Sequence, residues 1–172
     1  LQIQQACKHL PLVENFVQGK SLFVAGSSWS PDEDVFVPFF NQQSDWKMVI
    51  APHVVSEEHL QQIEQRVKGR CVRYSKATTE AVADADCLLV DCYGLLSSVY
   101  HYADVTYVGG GFGVGIHNVL EAAVWGVPVV FGPNNQRFQE AQELLTAGGG
   151  FEVESKDHFE ALMREWIDAP WR

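Results

Sequence analysis

The stretch Val108–Ala123, VGGGFGVGIHNVLEAA, decides how the rest of the chain is read. Five glycines occupy the seven positions from Gly109 to Gly115, and His117, Asn118 and Glu121 follow. A short apolar run, Asp104–Val108, precedes them and a helical pattern, His117–Trp125, comes after. Glycine lets the backbone take positive φ and lets another group come close. Placed between a strand and a helix start, it aims free N–H groups and a positive dipole end at a guest, for which phosphate or carboxylate is the natural choice. His117 and Glu121 are one helical turn apart, with Asn118 beside them. Leu120, Ala123 and Val124 are expected to take the buried side, leaving His117, Asn118 and Glu121 to face the crevice or solvent. A carboxylate beside an anion site makes sense for a nucleotide, because it accepts two hydrogen bonds from a ribose diol while the helix start holds the phosphate. The plainer alternative is a tight turn, a helix capped by Asn118 and a solvated Glu121.

Working outward, apolar runs alternate with helical patterns. Ser21–Ala25, Lys47–Ala51, Cys71–Tyr74, Cys87–Val90, Asp104–Val108 and Val127–Phe131 read as strands, and Phe151–Val153 adds a short last one. Ser30 and Pro31 read as an N-cap and first helical position, with Asp32, Glu33 and Asp34 as a solvated first turn. Ser27 and Ser28 either serve the site or cap that helix. From Ser56, Leu60, Ile63 and Val67 share one helical face. Further helices are expected near Leu95–Tyr102, Arg137–Ala147 and Asp157–Ile167. Continuous rather than alternating apolar runs indicate strands covered on both faces. The expected fold is therefore α/β: a Rossmann-like parallel sheet of about six strands with helices on both faces. Ligands of such sheets sit beyond the carboxyl ends of the strands, which directs attention to the loops after each strand.

At 172 residues the chain suits a single domain, residues 1–172, and is long enough to bury a core. Its ends, LQIQQACKHL and APWR, read as edges of a domain taken from a longer chain. No apolar run approaches the ~20 residues that span a bilayer. The formal net charge of −10 argues against general nucleic-acid binding, which needs clustered Lys and Arg. Cys7, Cys71, Cys87 and Cys92 form no CxxC, so reduced thiols are expected and no metal site. Two apparent motifs fail. Gly19-Lys20-Ser21 lacks the earlier glycine of a P-loop, since position 14 is Glu, and it precedes a strand instead of following one. GxGxxG fails from Gly109, where Val114 ends the frame, and from Gly111, where Ile116 does. Trp29, Trp46, Trp125 and Trp166 are read as packing residues, while Tyr93 stays open between packing and stacking.

The segment YVGGGFGVGIHNVLEAAVWGVPVVFGPNNQRFQEA, Tyr107–Ala141, resembles the donor-domain signature of the 3-deoxy-D-manno-octulosonic acid (Kdo) transferases of lipopolysaccharide synthesis. FVAGSSWSPDED resembles the family's AGS(T/S) strand end and acidic helix start, VIAPHVVSEEH its A-P-R-H segment, and LLVDCYGLLSSVYHYADVTYVGG its D-x-x-G-E-L…A-D block. The likeness runs from about Leu22 onward. It implies the C-terminal half of a GT-B inverting glycosyltransferase, which binds CMP-Kdo. The acceptor, a lipid A precursor, and the catalytic base would belong to an N-terminal domain outside this chain, so no catalytic residue is expected here. Membrane contact, at the cytoplasmic face of the bacterial inner membrane, would also lie in that half. By position, Ser27, Pro52, His53, the backbone of Gly94, Leu95 and Leu96, the loop Gly109, Gly110 and Gly111, and His117, Asn118 and Glu121 would bind the donor, with Glu121 on the ribose and no cofactor. His53 stands where the family has Arg, and Leu95 where it has Glu. Two other readings stay open: a GT-B donor domain or epimerase using a UDP-sugar, and a non-catalytic nucleotide- or protein-binding α/β domain.

Overall fold

A computed structural model describes residues 10–113, 115–116 and 119–167. Strand and helix alternate as α1 (Pro11–Val17), β1 (Ser21–Ser28), α2 (Ser30–Phe40), β2 (Trp46–Pro52), α3 (Glu57–Arg66), β3 (Cys71–Arg73), α4 (Thr79–Ala83), β4 (Cys87–Leu89), α5 (Leu96–Tyr100), β5 (Val105–Val108), α6 (Leu120–Ala123), β6 (Val129–Phe131), α7 (Gln139–Ala147), β7 (Gly150–Glu152) and α8 (Lys156–Ile167). All strand pairs are parallel, in the order β3-β4-β2-β1-β5-β6-β7. Among the described residues the sheet has seven strands, where about six were expected. The seventh is the short edge strand β7, read from the sequence as the brief run Phe151–Val153; the opposite edge, β3, matches the run read at Cys71–Tyr74.

The period of two along each strand sorts its side chains into two layers. Phe23 and Ala25 of β1 join a cluster with Phe36, Phe40, Ile63 and Phe159, under α2, α3 and α8. Leu22 and Val24 face the other way, with Val13, Phe16, Val99, Tyr100 and Ala141, under α1, α5 and α7. Covering both faces explains why β2 is buried along its whole length. Even Lys47 is buried there: its Nζ donates to the Ala83 carbonyl at 3.1 Å and lies 4.8 Å from the centre of the Phe16 ring.

Strand order positions the site. From β1 the chain leaves towards β2, and it returns from β4 to β5 on the other side of β1. The loops after β1 and β5 therefore part in opposite directions and leave a crevice at the carboxyl edge.

Two helix starts differ from expectation. In α2, Trp29 is the N-cap and Ser30 is already helical; the capping acceptor is Asp32, whose Oδ2 takes the Trp29 N–H at 2.8 Å. Ser27 and Ser28 lie in β1 and do not cap the helix by their place in the chain. The helix expected over His117–Trp125 is four residues long, Leu120–Ala123. His117 and Asn118 lie outside the described residues. The buried side near α6 is taken by Ile116, Val119 and Ala122, whereas Leu120 is exposed. A helix this short supplies little dipole, so the anion site inferred at its start loses that support.

Candidate functional site

Three loops converge on one cleft of about 240 Å³ at the carboxyl edge of β1, β2 and β4. Ser27 comes from the end of β1, Pro52 and His53 from the end of β2, Tyr93 and Gly94 from the loop after β4, and Leu96 from the start of α5 that this loop leads into. Five residues singled out from the sequence, Ser27, Pro52, His53, Gly94 and Leu96, thus meet in one place. Leu95 does not line the cleft; it is half-buried against the core and its carbonyl accepts the Val99 N–H at 2.9 Å, starting α5.

The local geometry has identifiable causes. At the end of β1 the register with β2 shifts between Gly26 and Ser28, and Ser27 takes φ +55°, an uncommon conformation for a residue with a side chain. The kink turns Ser27 towards the cleft while Ser28 points into the protein. The Ser28 carbonyl accepts the His53 N–H at 2.9 Å, which joins the β1 and β2 loops directly. The His53 ring stacks on Trp29, with centroids 4.7 Å apart and planes 24° from parallel. Tyr93 is 76% exposed, and its Oη accepts a long bond from the Val55 N–H, 3.4 Å. Its ring is therefore a free aromatic face at the rim of the cleft. Glu121 belongs to the same neighbourhood: its carboxylate accepts the Ser97 Oγ–H at 2.5 Å, one residue past Leu96. Cys92 also lines the cleft, and burial, then the charge of Asp91, pushes its thiol up in pKa, so it stays protonated at neutral pH.

Asp32 and Glu33, expected in a solvated first turn, are buried at 1% exposure each. This corrects the sequence reading, and the reason is that the ends of β1 and β5 and the loop after β5 cover the start of α2. Asp32 Oδ2 accepts both the Trp29 N–H and the Gly110 N–H, at 2.8 and 3.1 Å, while Oδ1 accepts the Tyr107 O–H at 2.7 Å. Glu33 accepts the Ser28 Oγ–H at 2.9 Å and faces His59 Nε2 at 2.8 Å. Desolvation raises the pKa of both carboxyls; the Tyr107 bond opposes it most at Asp32 and the His59 bond most at Glu33. Asp34, by contrast, is exposed and pairs with Arg66 at 2.8 Å.

The glycine loop also reads differently in three dimensions. A Cβ on Gly109 would lie 2.2 Å from the Ser27 carbonyl oxygen, and one on Gly111 would lie 2.5 Å from the Gly132 amide nitrogen. Both are buried, and their missing side chains make room for neighbouring backbone. Gly110, with its amide committed to Asp32, lines a second, smaller cleft of about 110 Å³ with Trp29, Pro31, Phe112 and Gly113.

Sequence reasoning missed Asp32, Glu33, His59 and Ser97. An acid in a first helical turn looks the same in sequence whether water or another loop lies above it. The Glu33–His59 contact joins residues 26 positions apart.

No protein-family model matches the chain. It is 28% identical over 150 residues to a 3-deoxy-D-manno-octulosonic acid transferase of Aquifex aeolicus (strain VF5), covering 84% of the chain and 41% of that protein. To the transferase of the same name from Chlamydophila psittaci it is 33% identical over 138 residues, covering 77% of the chain and 31% of that protein. The chain therefore spans well under half the length of these relatives. Among solved structures, the C-terminal CMP-Kdo binding domain of WaaA from Acinetobacter baumannii superposes with a TM-score of 0.74 at 20% identity, covering 92% of this chain and 89% of that one. That likeness shows the fold.

Proposed function

We propose, for a chain that belongs to the Kdo transferase family, that the cleft at the ends of β1, β2 and β4 binds the CMP moiety of CMP-Kdo. The whole enzyme would pass Kdo from that donor to a lipid A precursor at the cytoplasmic face of the inner membrane. The observation that carries this reading is the convergence of Ser27, Pro52, His53, Gly94 and Leu96 from three separate loops into one cleft.

The chemistry divides as follows. Backbone groups at Gly94–Leu96 and the Tyr93 ring suit a base, which offers an edge for hydrogen bonds and a face for stacking. The Glu121 carboxylate suits a ribose diol: Ser97 uses one of its acceptor positions, and others remain. The donor phosphate then lies towards His53 and the glycine loop. His53 can hydrogen-bond phosphate, and does so as a cation when protonated. Transfer proceeds through an oxocarbenium-like state, and donors fixed in place before the reaction stabilise the departing phosphate. The base that deprotonates the acceptor belongs to a second domain, so this chain alone binds donor and transfers nothing.

The test is a calorimetric titration of the chain with CMP, and with UMP and AMP as controls, repeated on Glu121→Ala. Selective CMP binding that weakens about tenfold or more in the variant, the scale of a hydrogen bond to a charged group, supports the reading. Preference for UMP would point to a UDP-sugar donor. Unweakened binding in the variant would remove Glu121 from the site.

A further inference from the structure

The two walls of the cleft are joined by a closed ring of hydrogen bonds, buried at Ser28 and Glu33 and reaching the surface at Val54. The Ser28 Oγ–H donates to Glu33 Oε2 at 2.9 Å. Glu33 Oε1 lies 2.8 Å from His59 Nε2. His59 Nδ1 lies 3.2 Å from the Val54 carbonyl oxygen. Val54 follows His53, whose N–H returns to the Ser28 carbonyl at 2.9 Å. A carbonyl only accepts, so His59 Nδ1 carries a hydrogen. The bond at Nε2 then holds one further proton, lying either on the imidazole or on the carboxyl group.

A buried carboxylate is an expensive way to fill space. Apolar side chains of similar volume often serve stability as well or better. Glu33 nevertheless sits where the β1 and β2 loops meet, behind the residues that line the cleft. Arg66 is near but not in hydrogen-bond contact, at 3.9 Å, and pairs with Asp34 instead. What the ring supplies is distance: it holds the loop carrying Pro52 and His53 against the β1 end carrying Ser27.

We propose that Glu33 and His59 are positioning residues, which fix the spacing between the Ser27 wall and the Pro52–His53 wall of the donor cleft without touching the donor. This rests on the donor-cleft reading above. The chemistry of the ring predicts its own rescue. In Glu33→Gln, the amide oxygen accepts from Ser28 and the amide N–H donates to a neutral His59 whose hydrogen sits on Nδ1, so every bond survives. In Glu33→Met the ring opens at two points, while volume and burial are kept.

The experiment is a CMP titration of the chain and of both variants, with folding checked by circular dichroism and amide NMR spectra recorded without ligand. Glu33→Gln should bind within about twofold of the parent chain. Glu33→Met, folded, should bind about tenfold or more weakly, since lost preorganisation lowers affinity, and the amide signals of His53, Val54 and Val55 should shift in Glu33→Met alone. Should Glu33→Met fail to fold, Ser28→Ala opens the same ring at one bond and carries the comparison, with a smaller loss expected. A folded ring-opening variant that binds CMP like the parent overturns the proposal. If the parent binds no CMP, the donor-cleft reading fails instead, and the loop amides decide the positioning role: unmoved in Glu33→Met, they overturn it; moved there and unmoved in Glu33→Gln, they sustain it.

Discussion

Replacing Gly109 by alanine should destabilise the fold rather than merely obstruct a ligand. Its Cβ would stand 2.2 Å from the Ser27 carbonyl oxygen and 2.7 Å from both Ser27 C and Ser28 Cα. All three are backbone atoms, so no rotamer change relieves the contact. Restoring ordinary carbon–oxygen separation requires the ends of β1 and β5 to part by about 1 Å, since packed interiors leave no such gap. That movement strains the Gly109 N–H bond to the Gly26 carbonyl, 2.9 Å, and the adjoining Gly26–Val108 pairing. Overpacking of this kind costs about 1–3 kcal/mol. For a domain of this size each kcal/mol moves Tm by about 2–4 °C, so Gly109→Ala should melt about 2–12 °C early. Gly113→Ala is the matched control: nothing lies within 4 Å of its added Cβ, and Tm should move by no more than about 0.5 kcal/mol allows. Thermal melts followed by circular dichroism measure both. Coincident melting of Gly109→Ala and the parent, or equal losses in the two variants, would refute the reasoning. A CMP titration of the same pair then asks about the ligand separately, because only Gly113 is an exposed glycine of that loop with room above it.

Asp32→Asn tests the buried carboxyl. Its raised folded-state pKa means that the stability linked to this group is complete below the unfolded value near 3.8 and is lost as pH rises through the folded value. Asparagine does not ionise and can keep the bonds from Trp29 and Gly110, so its Tm relative to the parent should improve from pH 4 to pH 7; a difference constant across that range would count against burial as the cause. Tyr93→Ala, at an exposed rim position, should leave Tm unchanged while weakening CMP binding by the about 1–3 kcal/mol that a stacked base contributes. Unaltered affinity in that titration would take the ring out of the site.

Much of the architecture was legible before the fold was known. Continuous apolar runs such as Lys47–Ala51 announced strands covered on both faces, and β2 is buried throughout. Leu60, Ile63 and Val67 at helical spacing announced an amphipathic helix in SEEHLQQIEQRV, and all three are buried on that face. The rule that ligands sit beyond strand ends pointed to the loops after the strands, the likeness to the Kdo transferases singled out Ser27, Pro52, His53, Gly94 and Leu96 in and beside them, and these line one cleft. These features depend on neighbours in sequence, on period and on chain direction, all of which the sequence carries by itself. Which loop lies over which residue is another matter. It depends on β1 sitting between β2 and β5, an order that no local pattern encodes. That order buries Asp32 beneath Gly110 and Glu33 beneath Ser28, gives His59 a partner on another helix, and sets Gly109 against Ser27. The sequence alone determined the elements and the edge of the sheet where a ligand would sit. Only the tertiary structure decided which carboxyls lose water and what the glycines make room for, because burial and close approach are properties of residues brought together from distant parts of the chain.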